Sequence, residues 1–262
     1  YISSGLMNFF TKDKTEELYQ LTKIIDFMST DYKDGIARIS KLIINAADDQ
    51  FFLPLDDYFW INSIDRNFHR LMIPNSDHGI GGSLLFQGIL GHVTSRYVPN
   101  VYPTYLHWDM DYETYTLTAK STIQPTAMAV WRAQTPQFSP PRLDFRFTSF
   151  ANANGICSPP AYSQNNSTNN NEFCSNPVEW TLTYLPVTYD PTQGAFIAKW
   201  QETNIPEPNT TWVGYYIMAY WDYELTSQQL YTTQVMVAPK PFPYQSCADK
   251  TIPCPSTVSS LV

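Results

Sequence analysis

The sequence has little positive charge and few charged residues of either sign. Its 262 residues include 16 Lys and Arg against 24 Asp and Glu, which gives a net charge of -8. Proteins that bind nucleic acid or an anionic membrane surface need basic patches to neutralise phosphate groups. The charge balance therefore argues against nucleic acid as a partner.

Long hydrophobic runs are also missing. No stretch approaches the ~18–20 consecutive apolar residues that a membrane-spanning helix needs, so no membrane span is expected. The first residues, YISSGLMNFF, contain no signal-like hydrophobic region and are typical of the middle of a chain. We therefore expect this sequence to be the C-terminal portion of a longer precursor. At 43% hydrophobic residues it can still form one large domain or two ordinary ones.

Cysteine is scarce, with four residues in the whole chain. They fall as two local couples, an arrangement that favours two disulfides, although four cysteines allow three pairings. The couples are Cys157 with Cys174 and Cys247 with Cys254. Glycosylation sequons begin at Asn165, Asn166 and Asn209. Together these features indicate a secreted or extracellular protein.

Residues 1–103 have the pattern of an α/β segment. Apolar spacing predicts helices over 11–29, 55–64 and 83–98, and continuous apolar runs predict buried parallel strands over 39–45 and 68–74. The last of these helices would place Leu85, Ile89, Val93 and Tyr97 on one face. Two strands cannot close a core, so the rest of the sheet is expected from polypeptide outside this sequence.

Residues 104–240 change to short period-two runs separated by Pro, Gly and Asn. This pattern predicts a β-sandwich of immunoglobulin-like size. The expected strands cover 113–122, 126–133, 142–150, 178–186, 194–201, 211–221 and 230–238. Residues 241–262 are expected to form a Pro-rich tail that is pinned by a disulfide. The predicted fold class is thus α/β followed by all-β.

Candidate catalytic residues follow each of the two predicted strands. Asp48 and Asp49 end the first, and His78 lies in the loop after the second. A right-handed crossover would bring both strand ends to one edge of the sheet, where open α/β sheets place their sites. An acid that fixes the tautomer of a histidine is part of the Ser-His-Asp mechanism. The acid and histidine have the chain order of α/β-hydrolases, but no G-x-S-x-G segment occurs, and Gly82-Ser83 lacks the second glycine.

Other interpretations of these and neighbouring residues remain open. Asp48 or Asp49 would also serve as a helix cap or turn acid, and His78 as a solvated loop histidine. The alternating acids Asp109, Asp111 and Glu113 could bind Ca²⁺ or simply form a solvated strand face, and we expect neither a metal nor a cofactor. The aromatic segment 212–221 could be a carbohydrate platform, although alternating aromatics are typical of a sandwich core.

Four segments together carry a resemblance to a known family. They are KLIINAADDQFFLP (41–54), RLMIPNSDHG (70–79), AVWRAQ (129–134) and RLDFRF (142–147), and they resemble the PhoPQ-activated pathogenicity-related proteins, a branch of the α/β-hydrolase superfamily. The resemblance covers nearly the whole chain. In that family the acid precedes a Glu-or-Gln-Phe-Phe segment, which favours Asp49 over Asp48. The family's serine lies in a Gly-x-Ser-Lys-Arg-Gly segment, which this chain does not contain.

The resemblance and the residues lead to different expectations of function. The first is a secreted serine hydrolase of peptidase or esterase type, in which Asp49 orients His78 and an upstream segment, joined or separate, supplies the serine. The second is extracellular signalling by binding a partner or receptor, as the family's autocrine proliferation repressor of social amoebae implies. A third is a carbohydrate-binding module. Whether the chain is part of an enzyme stays open at this point.

Overall fold

The computed structural model describes most of the chain between residues 39 and 241. The described residues are 39–59, 61, 68–99, 101–137, 143–150, 163–164, 173–176, 178–208, 210–223 and 227–241. The chain divides into two compact units, one of residues 1–41, 58–68 and 241–262 and the other of residues 42–57 and 69–240. The second unit contains Asp48, Asp49 and His78, the candidate catalytic residues.

This second unit is rich in β-structure, and its described residues include one α-helix. Strands β1 (Lys41–Ala46) and β2 (Phe68–Ile73) form a two-stranded sheet. The N–H of Ala47 donates to the carbonyl of Ile73 over 2.9 Å, so the carboxyl ends of the two strands lie side by side. The strands therefore run in the same direction, as predicted. Helix α1 (Ser83–Tyr97) follows β2.

The remaining strands form three antiparallel sheets. They are β3 (His107–Asp111), β4 (Thr116–Ser121), β5 (Ala127–Gln134), β6 (Thr148–Phe150), β7 (Ser163–Gln164), β8 (Phe173–Ser175), β9 (Thr181–Leu185), β10 (Thr188–Asp190), β11 (Ala195–Gln201), β12 (Val213–Tyr223), β13 (Ser227–Thr232) and β14 (Met236–Ala238). One sheet has the order β10-β11-β4-β3 and another the order β13-β12-β5-β9, with β14 also on β12. A small third sheet has the order β6-β8-β7.

The two larger sheets share one hydrophobic core. Side chains alternate along a strand, so one face of β12 lines this core and the other face points away from it. The buried residues of this core include Leu117, Ala119, Met128, Val130, Ala198, Val213, Tyr215, Ile217, Ala219 and Trp221. The opposite face of β12 presents Gly214 and Tyr216, which contact Trp180. The inner aromatics of segment 212–221 are therefore core residues.

Helix α1 forms where it was predicted but packs through a different face. Ile89, Val93 and Tyr97 are exposed, and the buried residues are Gly88, Gly91 and Ser95. A Cβ atom at Gly91 would collide with the carbonyl oxygen of Gln228 in β13. The absence of that atom lets the helix backbone approach the strand closely.

Other predictions were met only in part or could not be compared. Within the predicted helix 55–64 the structure has a short 3₁₀ helix, Asp56–Phe59, and residues 60 and 62–64 lie outside the described residues. The strand predicted from residue 113 begins at Thr116, because Asp111 accepts backbone N–H bonds from Glu113 and Thr114 and closes a turn there. Helix 11–29 and tail 241–262 fall outside the described residues, apart from Pro241.

The predicted disulfides and glycosylation sites remain predictions. Cys174 is buried in β8. The other three cysteines and the three sequon asparagines all lie outside the described residues, namely Cys157, Cys247, Cys254, Asn165, Asn166 and Asn209. Among the helices that the structure describes, none is long and apolar enough to cross a membrane.

Candidate active site

The acid loop, residues 47–53, follows β1 directly. Its turn is closed by the Asp49 side chain, whose Oδ1 accepts the backbone N–H of Phe51 at 2.7 Å and of Phe52 at 3.1 Å. Asp favours such turns because its short side chain reaches the N–H groups two and three residues on. These two bonds fix the orientation of the Asp49 carboxylate.

The histidine loop, residues 74–80, follows β2 and is held against the acid loop. Asn75 has a positive φ of 50°, a conformation that asparagine tolerates better than most residues. The N–H of His78 donates to Oε1 of Gln50 at 2.9 Å. Asp77 Oδ1 accepts the N–H of Gly79 at 2.9 Å, which forms the turn after His78. The backbone is thereby positioned on both sides of the imidazole.

Asp49 and His78 form a direct pair. Nδ1 of His78 lies 3.0 Å from Oδ2 and 3.2 Å from Oδ1 of Asp49. The Asp49 side chain is 7% exposed, whereas that of His78 is 51% exposed. The ring of Phe51 meets the imidazole edge-on at 4.7 Å between centroids. The pair is thus an anchored acid that holds a partly accessible histidine.

The geometry of the pair fixes which imidazole nitrogen is free for chemistry. An ionised carboxylate only accepts hydrogen bonds, so the Nδ1 atom that faces it carries the hydrogen. Nε2 is then the basic nitrogen of a side chain that is about half exposed. A histidine held in this tautomer can accept a proton from a nucleophile, while the carboxylate stabilises the imidazolium that forms.

Asp48 points to a different partner. It is 1% exposed, and Nε1 of Trp180 donates to its Oδ1 at 2.9 Å. Burial raises the pKa of Asp48 to about 8, although hydrogen bonds from Trp180 and from the Ser76 backbone oppose the rise, and the nearby charge of Asp77 adds to it. Asp49, rather than Asp48, is the acid that contacts His78.

The other histidines lie away from this pair. His69 in β2 is buried, stacks on Tyr231, and accepts a hydrogen bond at Nε2 from Nη2 of Arg96 at 2.8 Å. Burial, assisted by the charges of His92 and Arg96, lowers the pKa of His69 to about 3. His92 packs edge-on against His69. His107 is exposed on β3.

The alternating acids on β3 have ordinary structural roles. Asp109 pairs with Lys120 at 2.6 Å, and Asp111 caps the turn that follows the strand. Within the part of the chain that the structure describes, no group of three or more His, Cys, Asp or Glu side chains is arranged to hold a metal ion.

The two downstream segments of the resemblance supply ion pairs. Arg132 of AVWRAQ donates from Nε to Glu202 at 2.7 Å, and Glu202 is buried. Arg146 of RLDFRF donates from Nη2 to the buried Asp144 at 2.6 Å. The Arg132–Glu202 pair joins β5 to the end of β11 and so links the two larger sheets, which together are called the two-sheet region.

The sequence had not singled out three residues that hold the site. Gln50 binds the His78 backbone, while Asn75 and Trp180 bond to each other through two hydrogen bonds of 2.8 and 2.9 Å. Gln50 belongs to the Gln-Phe-Phe segment that carries part of the family resemblance, so the sequence offered a reason to consider it. Trp180 is 132 residues from Asp48 along the chain, and no local pattern connects them.

Comparison with known proteins identifies one family. The family model of the PhoPQ-activated pathogenicity-related protein matches residues 1–146. The match includes the acid loop and the histidine loop. No curated protein and no solved structure matches the chain.

Proposed function

Because the chain belongs to the PhoPQ-activated pathogenicity-related protein family, we propose that it is the C-terminal portion of a secreted serine-hydrolase-like protein. In this proposal β1 and β2 are strands of an α/β-hydrolase sheet, and an immunoglobulin-like domain begins near residue 104. Disulfides at the two cysteine couples and glycans at the sequons belong to the same proposal.

The observation that carries the proposal is the Asp49–His78 pair. The carboxylate is anchored by backbone N–H groups, and the half-exposed imidazole uses Nδ1 for the contact with Asp49, which leaves Nε2 as its basic nitrogen. Both residues follow the carboxyl ends of adjacent strands, the position at which α/β-hydrolases hold their acid and histidine. An ordinary surface histidine does not require a buried acid partner whose carboxylate is also held by two backbone N–H groups.

The proposed mechanism needs a serine from polypeptide upstream of this sequence. As the serine Oγ attacks the carbonyl carbon of an ester or peptide, Nε2 of His78 takes its proton. Asp49 stabilises the resulting imidazolium through Nδ1–H. His78 then gives the proton to the leaving alcohol or amine, and in the second half of the cycle it activates water in the same way. The cycle returns the enzyme to its starting state.

Labelling of the full-length protein with a fluorophosphonate probe tests this function. The probe reacts with a serine only when a neighbouring base activates it. We expect labelling of the wild type and a rate reduced by about 10³- to 10⁴-fold in Asp49→Asn or His78→Ala. His107→Ala is the matched control, because this exposed histidine lies on β3, and it should label as the wild type does.

The same experiment bears on the alternative of signalling without turnover. If correctly folded full-length protein is not labelled, the hydrolase proposal is wrong. An extracellular protein that acts by binding a partner or receptor would then be the better explanation. Equal labelling of the wild type and His78→Ala would also contradict the proposal, since the serine would not depend on the histidine.

A further inference from the structure

Trp180 contacts both loops of the candidate site from the two-sheet region. Its Nε1–H donates to Asp48 Oδ1 at 2.9 Å, and Asp48 directly precedes Asp49. Its backbone N–H donates to Asn75 Oδ1 at 2.8 Å, and its carbonyl accepts from Asn75 Nδ2 at 2.9 Å. Asn75 lies three residues before His78. A single residue is therefore bonded to the acid loop and to the histidine loop.

Trp180 is itself held rigidly. It is 1% exposed and immediately precedes β9. Its ring packs against Phe145 and Tyr216, with centroid distances of 5.5 and 5.2 Å. A Cβ at Gly214 would lie only 3.0 Å from the ring. The indole has no room to move aside, so the loops bonded to it are fixed relative to the two-sheet region.

Asp48 has the environment of a neutral acid. The donors to this carboxyl group are both uncharged, namely the indole N–H of Trp180, which bonds to Oδ1, and the backbone N–H of Ser76. The buried Oδ2 makes no hydrogen bond among the described residues. The titratable groups that face it are Asp77 from the histidine loop and Tyr216 from β12, neither of which is a cation. An ionised carboxylate in such a place would be strongly unfavourable. A protonated carboxyl group can occupy it at much lower cost.

We propose that Trp180 is a positioning residue for the Asp49–His78 pair and that it acts on the acid loop through a protonated Asp48. This role rests on the proposed function of the pair. Burial raises the pKa of Asp48 to about 8, which agrees with a carboxyl group that keeps its proton at neutral pH. A protonated Asp48 then adds no second negative charge directly beside Asp49, the acid that contacts the imidazole.

Four variants of the full-length protein test this inference. Trp180→Phe keeps the ring but removes the N–H donor to Asp48. Asp48→Asn keeps an acceptor oxygen and resembles the neutral acid, whereas Asp48→Ala removes the contact. Trp221→Phe is the matched control, because Trp221 is also buried and loses one N–H bond, to the carbonyl of Ile123, away from the site.

Two readouts are measured on each variant at a temperature where it is folded. The first is the rate of fluorophosphonate labelling. The second is the proton NMR signal of His78 Nδ1–H, assigned by its loss in His78→Gln, which reports the Asp49 bond without any turnover. A residue that contributes only to stability would lower the unfolding temperature and leave both readouts unchanged.

We expect Trp180→Phe and Asp48→Ala to slow labelling by about 10- to 100-fold, as small misplacements of catalytic groups do. Their Nδ1–H signal should broaden or disappear. Asp48→Asn and Trp221→Phe should stay within about twofold of the wild type and keep the signal, since neither disturbs the positioning of the pair.

Two results would overturn the inference. One is wild-type labelling and an intact Nδ1–H signal in Trp180→Phe. The other is Asp48→Asn behaving like Asp48→Ala, which would mean that the charge of Asp48 is needed. If the wild type itself is not labelled, the proposed function fails, and the NMR signal still decides whether Trp180 and Asp48 position the pair.

Discussion

Among single residues, the neighbours Asp48 and Asp49 show how environment separates two identical side chains. Asp49 accepts N–H bonds from Phe51, Phe52 and His78. Asp48 accepts one side-chain hydrogen bond, from the uncharged indole of Trp180. The donors around Asp49 hold its side chain against the imidazole, whereas a buried carboxyl group such as Asp48, with neutral donors alone, is suited to stay protonated.

The raised pKa of Asp48 predicts a dependence of stability on pH. Between its ordinary value of 3.8 and the folded value of about 8, the folded chain holds a proton that the unfolded chain has released. Stability from this group is therefore complete below about pH 4 and is lost as the pH rises towards 8. For one such proton, the free energy of unfolding falls by at most about 1.4 kcal/mol per pH unit.

Urea unfolding of the wild type and of Asp48→Asn at pH 5, 6 and 7 checks this prediction. With each step to higher pH, the free energy of unfolding of the wild type should fall relative to that of Asp48→Asn, because the amide has no proton to lose. Curves that stay parallel over this range would show that Asp48 is ionised in the folded protein. Asp109→Asn serves as the control, since Asp109 is largely exposed on β3.

Among the secondary-structure elements, α1 shows what an apolar pattern reveals and what it hides. The spacing of Leu85, Ile89, Val93 and Tyr97 correctly indicates a helix. It does not indicate the packed face, because the contact with β13 is made by Gly91, whose lack of a side chain permits it. Hydrophobic periodicity reveals which side chains are suited to burial, but it does not reveal a contact that is made by the backbone at a glycine.

Gly91→Ala is expected to destabilise the protein. The new methyl group would collide with the backbone of Gln228, which cannot rotate away as a side chain would. Overpacking of this kind costs about 1–3 kcal/mol, and the better helix propensity of alanine offsets part of that cost. Urea unfolding should show a lower midpoint with an unchanged slope.

Gly81→Ala is the matched control for that change. A Cβ at Gly81 would meet nothing within 4 Å. The substitution should leave stability unchanged or raise it by a few tenths of a kcal/mol, because alanine restricts the unfolded chain. Equal stability of both variants would contradict the close contact between α1 and β13.

At the scale of the whole molecule, buried polar contacts join strand β2 to the two-sheet region. Arg70 of β2 donates from Nε to Asp57 at 2.6 Å and from Nη1 to the carbonyl of Thr233 at 2.8 Å. The N–H of Met72 donates to Thr232 Oγ1 at 3.0 Å. Together with Trp180, these bonds make the two-sheet region part of what holds the site.

Much of the site could be predicted from the sequence because it follows from chain path. Parallel strands joined by a crossover bring their carboxyl ends together, and this alone places Asp49 near His78. Trp180 could not be predicted, since it reaches Asp48 through one hydrogen bond across 132 residues. The role of Arg70 could not be predicted either, because the residues that bond to this buried arginine lie elsewhere in the chain.

A double-variant cycle on fluorophosphonate labelling measures most directly whether Asp49 acts through His78. The rates are compared for the wild type, Asp49→Asn, His78→Ala and the double variant. Residues that work as a unit show strongly non-additive losses. We therefore expect that adding Asp49→Asn to His78→Ala causes no further loss of labelling rate. Losses that multiply in the double variant would show instead that the two residues act independently.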